Sequence, residues 1–533
     1  MKSLKFITAA ILAVTSISAP AQDGKSEVLQ NVERFGHMLI YLHNNYVDTV
    51  NPSAVTDEAI KKVMESLDPH SVFIPKEEVE ETNEPLAGSF DGIGIEFAVI
   101  ADTLCVQNVI IGGPSEAVGL LAGDKIINID GENVAGIKIS TEGVRKRLRG
   151  PRGTKVELLV LRPGAGEPLD FTIIRNKIPL NSIDAAYCPV PGVLYVKLSK
   201  FAQNSIFEFI DAIKAMERIP EGMIIDLRGN GGGYMQVALM LANIFLERGQ
   251  TILFTEGLHS PVRYESASGN GFYKKGALVV LVDEESASAS EIFAGAMQDW
   301  DRGVVIGRRT FGKGLVQQQF ALSDGSQIRL TVSRYHTPSG RVIQTPYENG
   351  HRDEYYDKFN ERYRHGELFS KDSIQLPDSL KYFTKKLGRT VYGGGGIMPD
   401  IFIPGDTTGM NGYFSAVIRK GYLTEYANRF IDMHRSEISV EGRSFEDFYK
   451  AYDNFGNEAF EGLVEYCREK GLAPSGTQLT ECEKLLRTRL KAIIARSAFN
   501  TTGYYRVINM EEDPAFDKAM EVISGWKEPF PSL

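Results

Sequence analysis

The sequence predicts a multidomain, mixed α/β (α+β) protein with helical ends, and three observations carry that prediction. Strand-like and helix-like segments alternate from Gly192 onward, short strands separated by glycine turns fill Gly88 to Arg175, and helical periodicity occupies both flanks. A chain of 533 residues is also too long for one hydrophobic core. Apolar residues make up 43% and charged residues 24%, an ordinary composition for a soluble protein. A net charge of -10 offers no broad basic footprint, which argues against a nucleic-acid binder.

The first residues read as an export signal. Lys2 and Lys5 precede the uncharged, mostly apolar stretch Phe6 to Ser18, and Ala19-Pro20-Ala21 supplies small residues at a cleavage point. A cleaved signal over 1–21 places the mature protein in the periplasm or cell envelope; the alternative is an uncleaved N-terminal anchor. No later segment reaches the roughly 20 apolar residues of a membrane span. The four cysteines, Cys105, Cys188, Cys467 and Cys482, do not make a disulfide framework. Cys467 and Cys482 either pair or remain separate buried thiols. No Cys/His cluster has zinc-like spacing, so no metal is expected.

In chain order, Glu27 to Val47 and Ala54 to Leu67 carry apolar residues at three- and four-residue steps, and Asp68-Pro69 ends the second helix. Between Gly88 and Arg175, strands are expected around Ile93 to Phe97, Val106 to Ile111, Lys125 to Ile129 and Val156 to Leu161. Ser115 to Leu121 and Thr141 to Leu148 read as helices, the first with Ser115 as its N-cap. From Gly192, strands at Val193 to Leu198, Met223 to Leu227, Ala277 to Val282 and Val304 to Ile306 alternate with helices at Ser205 to Met216, Met235 to Leu246 and Ala287 to Trp300. Val316 to Leu322 and Gln327 to Tyr335 form a hairpin around Asp324-Gly325. The charged, aromatic stretch within 347–386 reads as a surface insertion, and the chain after Gly412 as mostly helical. Phe445, Phe448, Tyr449 and Tyr452 recur at helical spacing, a packing stripe.

Three segments carry chemistry. In Ser286-Ala287-Ser288-Ala289-Ser290-Glu291, a serine sits at a strand-to-helix turn, beside free helix N–H groups suited to an oxyanion. The same residues also fit a plain capping box. In Thr310-Phe311-Gly312-Lys313-Gly314, glycines on both sides allow close approach to a lysine. To act as a base that lysine must lose about 3 pKa units by burial, and Gln317 is placed to orient it. The order of elements does not fit a nucleotide-binding P-loop. In Asp226-Leu227-Arg228-Gly229-Asn230-Gly231-Gly232-Gly233, glycines at a strand end either present N–H groups to an oxyanion or only serve a turn. No histidine lies in the three segments, which argues against a Ser-His-Asp triad.

Together these segments resemble the C-terminal processing peptidases, or tail-specific proteases. The similarity extends over Leu67 to Asp400 and includes Leu67-Asp68-Pro69-His70-Ser71, Tyr335-His336-Thr337-Pro338-Ser339-Gly340-Arg341 and Gly396-Ile397-Met398-Pro399-Asp400. The resemblance implies a ClpP/crotonase-like protease core over 177–410 with a PDZ domain inserted over 86–176. Helical regions then occupy 22–85 and 411–533. It implies a Ser-Lys dyad with Ser288 as nucleophile, Lys313 as general base and Gln317 as its orienter. Ala289 and Gly232 would be the oxyanion donors, and Gly92-Ile93-Gly94-Ile95 the loop that captures a substrate's C-terminal carboxylate. The expected substrates are proteins with apolar C-terminal tails, without metal or organic cofactor. In relatives, flanking helices often mediate dimerisation or cover the active site, so a homodimer is one implication. The competing reading is a non-catalytic PDZ scaffold or tail-binding adaptor in the envelope.

Overall fold

Ala277–Val282 is apolar at every position, as a strand buried on both faces requires. In the computed structural model it lies inside a six-stranded sheet ordered Ile183–Tyr187, Val193–Leu198, Gly222–Asp226, Ala277–Val282, Val304–Gly307, Ile401–Phe402. The first pair is antiparallel and the others are parallel. The structure describes residues 22–526 except 101, 111, 122, 163, 217, 435–437 and 439–443. The export signal expected over 1–21 lies outside the described residues.

Alternate side chains of these strands serve two cores. Leu278, Val280 and Val282 pack with Phe209, Phe245 and Phe293, which lie on helices Ser205–Lys214, Met235–Phe245 and Ala289–Asp299. Val279 and Leu281 instead meet Ala515, Phe516 and Ala519 of the last helix, Pro514–Ser524. The C-terminal end of the chain therefore closes the second face of the sheet.

A separate antiparallel sheet runs Val72–Ile74, Gln327–His336, Thr251–Gly257, Ser260–Ser266, and Leu315–Ala321 also pairs with Gln327–His336. The hairpin at Asp324-Gly325 is present. The hairpin of Thr251–Gly257 and Ser260–Ser266 was not anticipated: the alternation in Ser260–Ser266 is short, limited to Val262 and Tyr264, and both side chains are exposed.

The small β module has the strand order Ile95–Ile100, Thr103–Val109, Lys125–Ile129, Lys155–Leu161, Leu169–Ile174 around its own core of Leu104, Ile126, Val156 and Ile173. Its ends leave together, since Ser89–Gly92 pairs antiparallel with Asn176–Pro179 at the neck. Ser115 is not the N-cap expected. Gly113 caps Pro114–Ala117, with Pro114 in the first turn where its missing N–H costs nothing, and Ser115 Oγ donates to the Ile93 carbonyl at 2.6 Å.

The segment expected as a surface insertion also departs from expectation. Arg352–Arg364 is a helix whose Tyr355 is buried, and Arg362 donates to the carbonyls of Thr310 at 2.9 Å and Arg309 at 2.7 Å. Most of its charges are exposed, as the sequence suggests, but Arg362 serves as an internal tether.

The C-terminal helices Gly412–Arg419, Tyr422–Met433, Phe445–Glu469 and Gln478–Glu511 form a further core, in which the Phe445, Phe448 and Tyr452 stripe is buried. Cys467 and Cys482 are both buried and unpaired. This region touches the β module through Arg496 and Glu96 at 2.8 Å and through Asn428 and Gln107 at 2.7 Å. The first helix, Gln22–Asn45, leaves an apolar stripe exposed, with Val28 at 61% and Tyr41 at 66%. No helix among the described residues is long and apolar enough to cross a membrane.

Candidate active site

The strand Ala277–Val282 ends in a turn built by Asp283. Its Oδ1 accepts from the N–H groups of Glu285 and Ser286 at 3.1 Å and from Gly229 at 2.9 Å. Ser288 follows with φ of 54° and ψ of -112°, a conformation costly for a residue with a Cβ, and caps the helix Ala289–Asp299. Strain at such a turn holds a hydroxyl out over the sheet end. The flanking serines do structural work: Ser286 Oγ donates to the Leu227 carbonyl and Ser290 Oγ to the Asn230 carbonyl, each at 2.8 Å. They tie the serine turn to the glycine loop.

One buried carboxylate ties the serine turn to the lysine loop. Glu291 accepts from Ser288 N–H at 2.8 Å, Thr310 Oγ1 at 2.6 Å, Gly312 N–H at 2.7 Å and Lys313 N–H at 2.9 Å. Tyr335 Oη adds a second tie, donating to the carbonyls of Lys313 at 2.9 Å and Ser288 at 3.2 Å. Gly312, at φ of 91°, lies against Gly396, where an added Cβ would meet the Gly396 nitrogen at 2.9 Å. The glycine run before Ile397-Met398-Pro399-Asp400 thus seats the lysine loop.

Lys313 Nζ donates to Gln317 Oε1 at 3.0 Å, and Gln317 Nε2 donates to the His70 carbonyl. That carbonyl is held by Asp68, whose Oδ1 accepts from His70 N–H at 2.9 Å, Ser71 N–H at 3.0 Å and Thr331 Oγ1 at 3.0 Å. Burial pushes the Lys313 ammonium below the ordinary lysine value, and the Arg329 charge pushes the same way against Asp68 and Glu291. Burial, and then the Lys313 charge, hold the His70 imidazole down at about 4, so it is neutral at pH 7. The support given by Asp68, His70 and Glu291 was missed from sequence. In the sequence, Leu67 to Ser71 stood only as a motif of the resemblance and Glu291 only as a capping-box residue.

Ser288, Lys313, Gln317 and Gly231 to Gly233 line one cleft of about 420 Å³, with Met235, Ile292 and Leu315 as apolar wall. A lysine whose charge burial disfavours, a serine hydroxyl and N–H donors lining one cleft are parts that acyl transfer can use. The oxyanion expectation needs one correction. The Gly232 N–H donates to Asn230 Oδ1 at 2.8 Å, so it is already committed. The Gly233 N–H has no partner among the described residues, while the neighbouring Gly232 carbonyl and Tyr234 N–H both bond Phe201. Ala289 opens its helix, where N–H groups lack intrahelical partners.

The Gly92 to Ile95 loop lies in the β module. The Ile93 side chain is buried in that core, Gly94 has φ of 80°, and Ile95 begins the edge strand Ile95–Ile100. The carbonyls of Ile93 and Gly94 are bonded, to Ser115 and Ile110. Two other motif residues are structural. Arg341 is fully buried on Asp299 at 2.7 Å, and Asp400 Oδ2 accepts from Val305 N–H at 2.8 Å.

Residues 192–349 match the model of peptidase family S41, residues 106–162 that of a PDZ domain, and residues 413–500 a family of unknown function, DUF8443. The chain is 32% identical over 355 residues to the carboxy-terminal-processing protease of Bartonella bacilliformis, covering 64% of this chain and 80% of that one. It is 34% identical over 337 residues to the carboxy-terminal processing protease CtpB of Bacillus subtilis, covering 62% and 68%. It is 35% identical over 295 residues to the carboxyl-terminal-processing protease of Synechocystis sp., covering 54% and 68%.

Proposed function

The chain belongs to peptidase family S41, the carboxy-terminal-processing proteases, and from that premise we propose that Ser288 is its nucleophile, Lys313 the general base and Gln317 the group that orients Lys313. The observation that carries this reading is the 3.0 Å bond from Lys313 Nζ to Gln317 Oε1 in the cleft that Ser288 lines, at a lysine whose charge burial disfavours. Neutral Lys313 takes the Ser288 Oγ proton as Oγ attacks the scissile carbonyl. The Ala289 and Gly233 N–H groups receive the oxyanion, with Gly233 taking the part expected of Gly232. Lys313 then returns the proton to the leaving amine, and water hydrolyses the acyl-enzyme by the reverse path.

In this reading the protein is an exported endopeptidase of the periplasm or cell envelope, with a core of ClpP/crotonase-like character. It cleaves proteins near their C-termini and takes apolar tails in the PDZ domain. The Gly92 to Ile95 loop would capture the tail carboxylate, and the free edge of Ile95–Ile100 would pair with the tail as an added strand. The exposed stripe on Gln22–Asn45 supports a homodimer through that helix. The test is cleavage of an unstructured protein with an apolar tail by wild type, Ser288→Ala and Lys313→Ala. Loss of cleavage in both variants supports the assignment, and full activity in either one overturns it.

A further inference from the structure

The cleft that holds Ser288 is lined by Lys200, Lys313 and Arg329 and by no aspartate or glutamate. Lys313 has its partner in Gln317. Arg329 is half-buried, makes no ion pair or side-chain hydrogen bond among the described residues, and its Nη2 is buried without a partner. Its backbone is fixed, because the strand Gln327–His336 pairs there with Val72 on one side and Gln319 on the other. A guanidinium carries five donors in a planar fork matched to a carboxylate, and leaving it desolvated and unpaired costs free energy. Three other arginines of the core have carboxylate partners: Arg341 with Asp299, Arg228 with Asp226 and Asp513, Arg362 with Glu367. Burial also holds the Arg329 charge below its ordinary pKa.

We infer that Arg329 is a specificity residue that receives a carboxylate of the bound substrate inside the catalytic cleft. The inference rests on the protease reading and adds a preference that a requirement for apolar tails alone does not contain. The carboxylate has two sources. It is either the free α-carboxylate of a tail short enough to end in the cleft, or an acidic side chain near the scissile bond. In the first case the enzyme trims short C-terminal pieces, and in the second it selects acidic sequence. Both use the same bidentate pairing.

The test uses the full chain and quenched fluorescent peptides in matched pairs: free acid against C-terminal amide, and Glu against Gln beside the cleavage point in an amidated peptide. For wild type, kcat/KM should favour the carboxylate member of at least one pair by about tenfold or more, chiefly through KM. Which pair responds identifies the source. In Arg329→Gln that ratio should fall to about one, and Arg329→Lys should restore part of it. A wild-type ratio near one in both pairs overturns the inference. So does a ratio that persists in Arg329→Gln, which would place the selection in the PDZ groove. If Arg329→Gln turns over too slowly to measure, peptide binding to Ser288→Ala with and without Arg329→Gln gives the same ratios. Wild type that cleaves no member of either pair sinks the protease reading itself, an outcome distinct from cleavage without preference.

Discussion

The backbone N–H groups of Ser288 and Lys313 donate to the same oxygen, Glu291 Oε2, at 2.8 and 2.9 Å. The two residues come from different loops, 25 positions apart in the chain, and a carboxylate with no solvent exposure sets their spacing. Burial raises the Glu291 pKa, and its hydrogen bonds from Thr310, Lys313, Ser288 and Gly312 oppose that rise. The same Ser-Ala-Ser-Glu segment read from sequence as a capping box is therefore also the frame of the site.

Glu291→Gln should uncouple the two loops. The amide keeps one acceptor but turns an NH₂ toward N–H donors. A displacement of about 1 Å at the reacting groups costs on the order of 10²-fold in rate. The unmet donors should also lower stability by roughly 1–3 kcal/mol. Single-turnover cleavage and a thermal melt of the variant check both numbers; a melt that shifts without loss of rate would make Glu291 a packing residue only.

The pH profile tests the base. Lysine accepts a proton only when neutral, so cleavage of an uncharged peptide should rise with pH through the Lys313 pKa, below the ordinary 10.5. Arg329→Met removes a neighbouring cation and should move that limb to higher pH. Gln317→Glu places a carboxylate at the Nζ and should move it further the same way. Asp68, Glu291 and neutral His70, the other groups facing Lys313, are unchanged in both variants. Stability follows the sign of proton binding. With its folded pKa lowered, Lys313 binds fewer protons folded than unfolded, so stability rises with pH between the folded value and 10.5. A limb that stays fixed in both variants assigns it to another group.

That Ser288, Lys313 and Gln317 would share one cleft was legible because each sits in a short motif whose neighbours constrain it. The parallel strands were legible because burial on both faces leaves an unbroken apolar run, as in Ala277–Val282. What the sequence hid were long-range polar contacts. Nothing local says that His70, 247 positions from Gln317, offers it a carbonyl, or that Arg362 reaches the Thr310 carbonyl. The bond from the Gly232 N–H to Asn230 was hidden for a related reason: whether that N–H is free depends on the Asn230 rotamer, which no pattern of glycines reveals.

The C-terminal region reaches the glycine loop through Arg228. This side chain donates to Asp226 at 2.6 Å and to both oxygens of Asp513, at 2.9 and 2.6 Å. Asp513 in turn caps the helix Pro514–Ser524. Asp513→Ala removes two charge-assisted bonds and the cap of that helix, while Asp226 still pairs with Arg228, so it should cost about 1–3 kcal/mol. Because Arg228 opens the loop to Gly233, the rate should fall as well. Denaturant unfolding and kcat on a tail peptide check this; an unchanged kcat in a destabilised variant would confine Asp513 to folding.

Gly232→Ala separates the glycine's backbone role from a donor role. Gly232 has φ of 101°, where a Cβ is strained, and an added Cβ would lie 2.7 Å from the Ala287 carbonyl oxygen, 2.9 Å from Ser288 Cβ and 3.0 Å from the Ala289 nitrogen. The methyl must push the serine turn away from the glycine loop. The expected result is a kcat loss on the order of 10²-fold and a lower melting temperature. At Gly231 an added Cβ meets nothing within 4 Å, so Gly231→Ala should leave the melting temperature unchanged. If Gly232→Ala melts like wild type yet loses its rate, the loop has shifted without strain, and the loss comes from moving the Gly233 N–H away from the oxyanion. If it keeps both, the loop gives way at no cost, and the close approach of Gly232 to Ser288 does not govern catalysis.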